Sequence, residues 1–204
     1  MSNNQSLPIF QISVDRLRAL CDVVMGVVMV LLVLNIDLPD ISQVKDAGSL
    51  LQVFYAEFPA FFAFVISFIV VAKCWQIHTL LFYHVKKVDK RILWITLFYL
   101  FSICLLIFTS GLPIRFEDKA IVDIFSLSLL LPALLLLSLC VRVVYAWRLD
   151  EEIELSEARK RATVILTLKT FVIPVLSLIS IGVSFYSVSI AFYLWTPVFF
   201  VIFI

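Results

Sequence analysis

Apolar runs of about 20 residues recur along this chain, and that recurrence decides which solvent it folds in. About 20 apolar residues of α-helix cross a hydrocarbon core of about 30 Å. Val23 to Leu34, for instance, contains no charged side chain. Inside a bilayer the backbone has no water to bond to, so such runs must close their hydrogen bonds as helices. Composition agrees: 63% of the residues are hydrophobic and 15% charged, against roughly 25% charged in soluble domains. A water-soluble fold would leave many of the 19 phenylalanines in exposed apolar patches. The fold class expected is an all-α membrane protein, a single transmembrane domain over 1–204.

Six helical spans are expected, at about 18–38, 58–82, 92–111, 122–147, 164–182 and 185–204. The first stops at Pro39. The last apolar run is too long for one crossing and divides near Gly182, where GVSFYS offers a turn; a single bent helix there would leave five spans. The outer loop before the second span suggests a short amphipathic helix around 49–57, ended by Pro59. DEEIELSEARKRA reads as a helical cytoplasmic connector with exposed charges.

Charge in the loops orients the bundle. Arginines and lysines gather at Arg16 and Arg18, at Lys86, Lys87, Lys90 and Arg91, and at Arg142, Arg148, Arg159, Lys160 and Arg161. The opposite side has only Lys45, Arg115 and Lys119. The positive-inside rule therefore puts both termini in the cytoplasm and suits an even number of spans. The plasma membrane is the expected location. The run from Val23 to Leu38 lacks a small-residue cleavage site, so it is expected to remain as a span. Nothing points to nucleic acid: the net charge is +1, and no basic block interleaves with aromatics. Cys21, Cys74, Cys104 and Cys140 lie in or beside apolar runs without CxxC spacing, as small buried residues do, so neither disulfide nor metal is expected.

Polar residues within such spans are costly, and each needs a structural or functional reason. Arg16, Arg18 and Asp22 open the first span; Ser67, Lys73, Cys74, Trp75 and His78 occupy the second; Trp94 and Thr96 begin the third. Ser67, Val71, Cys74/Trp75 and His78 fall at helical spacing and share a face. Lys73 lies off that face, where it either snorkels along its stem toward the cytoplasm or pairs with an acid of a neighbouring helix. Asp22 has two readings from the residues alone. It ties helices one to three together with Arg16, His78 and Trp94, or it meets a substrate directly.

These residues also form a pattern. R-L-R-A-L-C-D at 16–22 resembles the Arg-x-x-x-Phe-Ser-Asp signature of the transmembrane protein 175 family of potassium channels, with Leu20 for Phe and Cys21 for Ser. SFIVVAKCWQIHTLLF supplies the family's Ser67, Phe68, Trp75, His78 and Phe82, and VDKRILWITL its Trp94, with Thr96 where Asn is usual. The resemblance covers about residues 16–113. It implies a single six-helix repeat that assembles as a homotetramer around a pore lined by the first helix. It also implies that Arg16, Asp22, His78 and Trp94 form an interhelical network, so that Asp22 orients the pore helix. No cofactor is implied; the partners are a second, third and fourth copy, the lipid bilayer and permeant monovalent cations, potassium first.

One apolar stripe of the first span reads Leu20, Val24, Val27, Leu31, Leu34, Leu38. The resemblance maps the family's hydrophobic constriction onto Val27, Leu31 and Leu34, and large apolar rings gate pores by dewetting. Without the resemblance the same stripe would simply pack on neighbouring helices. Three departures bear on selectivity: Val30 stands where Thr is common, Asn35 near the outer mouth where an acid is common, and Val23 where Gly follows the aspartate. The function implied is a potassium-permeable channel without a voltage sensor, since no span repeats arginines. The alternatives are a weakly selective or proton-leaking cation pore and, in another class, a subunit of a membrane enzyme or transporter. His78 and His84 leave one helix six residues apart, which suits no bis-His haem. Pro132 and Pro174 are the only mid-span interruptions, without the internal repeat a secondary transporter would show. The chain is not expected to be an enzyme.

Overall fold

The structure, a computed structural model, describes residues 12–36, 47–83, 85, 87–112, 118–149, 161, 165, 168 and 171–197. Six α-helices follow one another among them: α1 Val14–Leu31, α2 Ala47–Phe82, α3 Lys90–Ser110, α4 Lys119–Leu149, α5 Val172–Ser184 and α6 Val188–Tyr193. Four apolar segments are long enough to cross a membrane: Val14–Asn35, Glu57–Phe82, Lys90–Ser110 and Lys119–Val143. Leu38 and Pro39, His84, the connector at 150–160 and the chain end at 198–204 lie outside the described residues.

Local chemistry sets two of the helix starts. Ser13 starts α1 by accepting from the Arg16 N–H at 3.3 Å. Asp89 starts α3 by accepting from the Ile92 N–H at 2.6 Å. Each satisfies a donor that the first helical turn leaves free. The α-helical part of α1 ends at Leu31, earlier than Pro39 would dictate, and tightens into a 3-10 turn over Leu32–Asn35.

Pro59 does not end a separate outer helix: α2 runs unbroken through it for 36 residues. At 1.5 Å per residue that is about 54 Å, far more than a hydrocarbon core requires. The missing Pro59 N–H frees the carbonyl one turn earlier, at Tyr55, whose side chain is exposed. Near the N-terminal end of the helix that carbonyl is within reach of solvent, which lowers the cost of the proline. Pro132 lies inside α4 in the same way. The turn in the last apolar run falls at Phe185 and Tyr186, three residues past Gly182, where Ser187 caps α6 by accepting from Ile190 N–H at 3.3 Å.

The helices run alternately up and down. α1 leans on both α2 and α3, α3 packs along α4, and α4 along α5, with α6 folded back over α5 and α4. Buried faces repeat every three or four residues: Leu17, Cys21, Met25 and Val28 on α1, continued by Leu32 in the 3-10 turn, and Phe125, Leu129, Ala133, Leu136 and Cys140 on α4. These join one core that also takes in Ile66, Val70, Cys74, Tyr99, Ile103 and Trp195. Lipid tails are as apolar as leucine, so such a bundle is held by close packing and interhelical hydrogen bonds. Ser126 and Ser180 pair at 2.9 Å, Ser180 donates to the Ala191 carbonyl at 2.8 Å, and Ser184 donates to Asp123 at 2.6 Å. Together they fasten α4, α5 and α6. Arg142 of α4 reaches Asp89 at the start of α3, 2.7 Å away.

Candidate functional site

α1 has two apolar faces with opposite fates. Its buried face is closed against α2 and α3. The other is open: Leu20, Val23, Val27, Val30 and Leu34 are 42%, 64%, 51%, 69% and 72% exposed. Their spacing of three and four residues makes one stripe along the helix, and Arg16 continues it at the N-terminal end, also exposed. The stripe expected from the sequence overlaps this face but is turned from it by roughly 40° at 100° per residue. Val24 and Leu31 lie half-buried on its flank, while Val23 and Val30 stand near its centre. Helical phase was the signal for these two; the Val/Leu composition hid it, because a helix apolar all round has no polar face to orient it.

The polar residues of α1 bind it to its neighbours at two ends. At its N-terminal end Arg18 pairs with Asp15 at 3.2 Å and donates to the Phe82 carbonyl, at the last residue of α2. A guanidinium there meets both a carbonyl that has no donor within α2, shared with the Val85 N–H at 3.2 Å, and the negative end of the helix dipole. One turn on, the Trp75 indole N–H donates to Asp22 Oδ1 at 2.8 Å. Cys21 Sγ and His78 Nε2 lie 3.4 Å apart in the core. His78 is 1% exposed and stacked between Phe82 and Tyr99, at ring-centroid distances of 4.2 and 5.7 Å.

Within one protomer the expected cluster of Arg16, Asp22, His78 and Trp94 is therefore rearranged. Asp22 meets Trp75, His78 meets Cys21, and the arginine fixed to α2 is Arg18. Trp94 is 59% exposed and leans on Phe98, 6.0 Å between centroids. Trp75 was visible in the sequence as the first member of Trp-x-x-His. Thr96 is buried and returns its hydroxyl to the Ile92 carbonyl at 2.8 Å. Lys73 bonds to Gln76 Oε1 at 3.2 Å, one turn nearer the C-terminal end of α2, so its stem runs along its own helix. Ser67 is fully buried, and its hydroxyl has no partner among the described residues.

At the outer end Asn35 turns toward α3 rather than along the open stripe. Its Nδ2 donates to the Ile107 carbonyl at 2.5 Å and to Ser110 Oγ at 2.7 Å. Between Asp22 and Asn35 every residue of α1 is apolar or glycine. Among the described residues no group of His, Cys, Asp and Glu is disposed to hold a metal. An apolar stripe on a helix pinned at both ends offers no acid, base or nucleophile. What it offers is a surface that water wets poorly.

Comparison with known proteins bears on the same segment. A sequence model described as the endosomal/lysosomal potassium channel TMEM175 matches residues 16–106. The rat endosomal/lysosomal proton channel TMEM175 is 35% identical over 114 residues, 53% of this chain and 22% of that protein. The human protein of the same name is 33% identical over 114 residues, 53% of this chain and 21% of that protein. A potassium channel of Chryseobacterium sp. (strain P1-3) is 35% identical over 91 residues, 45% of this chain and 44% of that protein. The chain thus spans less than half the length of these curated relatives. The crystal structure of a lysosomal potassium-selective channel TMEM175 homologue from Chamaesiphon minutus superposes with a TM-score of 0.74 at 19% identity, covering 93% of this chain and 96% of that one. The sequence likeness lies in residues 16–106, and the chain takes the fold of that TMEM175 homologue over nearly its whole length.

Proposed function

We propose that this chain forms a potassium-permeable channel in the plasma membrane, four copies around a pore lined by α1. The observation that carries the reading is the open stripe of α1. A single helix encloses no water path, so an apolar face left open on a helix pinned at both ends calls for copies around an axis, and homo-oligomers close into rings. The names of the relatives support the channel class and, for the bacterial ones, the ion.

In this arrangement Val27 and Leu34 form the narrowest rings, with Val30 between them and the half-buried Leu31 at their flank. Such rings carry no ligand to replace an ion's hydration shell, and they close by excluding water. Arg16 stands exposed at the cytoplasmic mouth, while the neighbouring Asp15 is paired with Arg18. Asp22, Trp75, Cys21 and His78 hold the helix in phase, and Arg16 and Trp94, both exposed in the protomer, join that network between copies. Six crossings bring both termini to the cytoplasm: the four long helices and two more from the segment after 164. The reading makes no use of a voltage sensor or a cofactor.

A second reading, proton conduction, has its own observation. Val30 is 69% exposed near the centre of the stripe and carries no hydroxyl, and the vertebrate relatives are named proton channels. Purified protein decides between them. Its mass in native-like detergent should correspond to four chains, and in liposomes potassium should move faster than sodium or protons. A monomer without flux would end the channel reading, and proton flux without potassium flux would favour the second.

A further inference from the structure

Among the described residues Asn35 is the one polar residue at the outer end of α1's hydrocarbon run, and its chemistry is spent on α3. We propose that it is a positioning residue: it bolts the outer end of α1 to the last turn of α3 and so sets which way Leu34 faces. The inference rests on the pore reading for its effect on ions, but not for the bolt itself.

The last four carbonyls of a helix have no partner within it, and α3 ends at Ser110, so the Ile107 carbonyl is one of them. A carbonyl requires a donor opposite it, which fixes the Asn35 amide with its nitrogen toward α3. One nitrogen then serves two acceptors, Ile107 O and Ser110 Oγ. Ser110 is 1% exposed and also back-bonds to Ile107. The fit is tight on the other side of the amide as well. A Cβ on Gly111 would meet Asn35 Oδ1 at 3.0 Å and Cγ at 3.2 Å, closer than ordinary van der Waals contact. Glycine at 111 leaves the space into which the asparagine swings. The 3-10 turn over Leu32–Asn35 carries both ends of the relation, since Leu34, 72% exposed, is the residue next to the bolt.

An aspartate at 35 has nearly the same shape but, ionised, donates nothing. It would set a carboxylate against carbonyls at the negative end of the α3 dipole. A residue that faced the ion path would respond in the opposite sense, because a ring of carboxylates attracts cations.

The test combines melting temperature with potassium flux per assembled tetramer in liposomes. Asn35→Ala, Asn35→Asp and Gly111→Ala should each lower the melting temperature by several degrees and change the flux of the tetramers that remain, at least about twofold, by loosening the ring at Leu34. The double variant Asn35→Ala/Gly111→Ala should melt no lower than Asn35→Ala alone, since the Cβ then enters vacated space. Wild-type stability in all three single variants, or an Asn35→Asp protein of wild-type stability with raised cation flux, would place Asn35 in the ion path and overturn the proposal. Lower stability with unchanged flux per tetramer would leave a bolt that positions nothing, and that too overturns it. If the wild-type chain carries no flux, it is the channel reading that fails, and the additivity of the double variant still decides whether the bolt exists.

Discussion

Leu32 and Leu34 are two residues apart and of one type, yet the structure gives them opposite environments: 0% and 72% exposed. Replacing each by alanine separates packing from the pore. In a soluble core a buried Leu→Ala change costs about 2–5 kcal/mol, as lost transfer energy plus the cavity left behind. In a bundle surrounded by lipid the transfer part is small, leaving a packing part of about 1–3 kcal/mol. Leu32→Ala should lose that much and leave potassium flux per tetramer near wild type. Leu34 has few partners within the protomer to lose, so its replacement should cost well under about 1 kcal/mol. It widens an apolar ring, however, and a wider ring dewets less readily, so flux should rise several-fold. Thermal unfolding in detergent reads the first quantity, and potassium efflux from liposomes loaded at equal tetramer density reads the second. Leu34→Ala with unchanged flux and a stability loss equal to that of Leu32→Ala would refute the argument: the open stripe would then be a packing surface.

Three further outcomes follow from the contacts described. Asp22→Ala and Trp75→Phe should each destabilise, and their double-mutant cycle should show a coupling of about 1 kcal/mol, the net value of a partly exposed hydrogen bond to a charged group; additive losses would mean that the bond contributes nothing. Burial of Asp89 works against its charge, but the Ile92 N–H and the Arg142 guanidinium outweigh it and hold the carboxyl below the usual range. A carboxyl lowered on folding contributes stability above its unfolded value of about 3.9 and loses it as pH falls through the folded value. Melting temperature should therefore drop on acidification below about pH 4, less steeply in Asp89→Asn, and equal slopes would contradict this. Lys73→Met should leave stability nearly unchanged, since its bond to Gln76 lies on a partly exposed surface of one helix; a loss of tetramer would show that Lys73 holds a neighbouring copy.

The sequence carried the bundle well where chemistry changes abruptly along it. Lys90 and Lys119 mark the starts of α3 and α4 because a charge beside an apolar run has only one comfortable place. Pro59 misled because the cost of a proline depends on where its freed carbonyl lies, and at the outer end of α2 that carbonyl can reach water. For α1 the sequence marked the helix and its approximate phase, but not which valines face out. Val23, Val24, Val27 and Val30 are chemically identical, and only α2 and α3 distinguish them. For Asp22 the residues alone leave a fastening and a substrate role open; its partner in the structure, Trp75, is 53 positions away. The family resemblance, not its sequence neighbours, puts Asn35 near the pore mouth, where an acid is common. Its true neighbours, Ile107 and Ser110, are more than 70 positions away. Long-range partners of this kind are legible only once helix packing is known.

Whether the open face of α1 borders water or hydrocarbon is the question on which the account rests, and thiol reactivity answers it. A cysteine reacts as its thiolate, which forms in water and not among lipid tails or in a packed core. Leu34→Cys and Val28→Cys would place that group on the open stripe and on the buried face of α1, respectively. A membrane-impermeant, cationic thiol reagent should modify Leu34→Cys and abolish its potassium flux, while Val28→Cys and the four native cysteines leave flux untouched. A Leu34→Cys protein that conducts and ignores the reagent would mean that the stripe faces lipid or a neighbouring helix, and that the pore lies elsewhere.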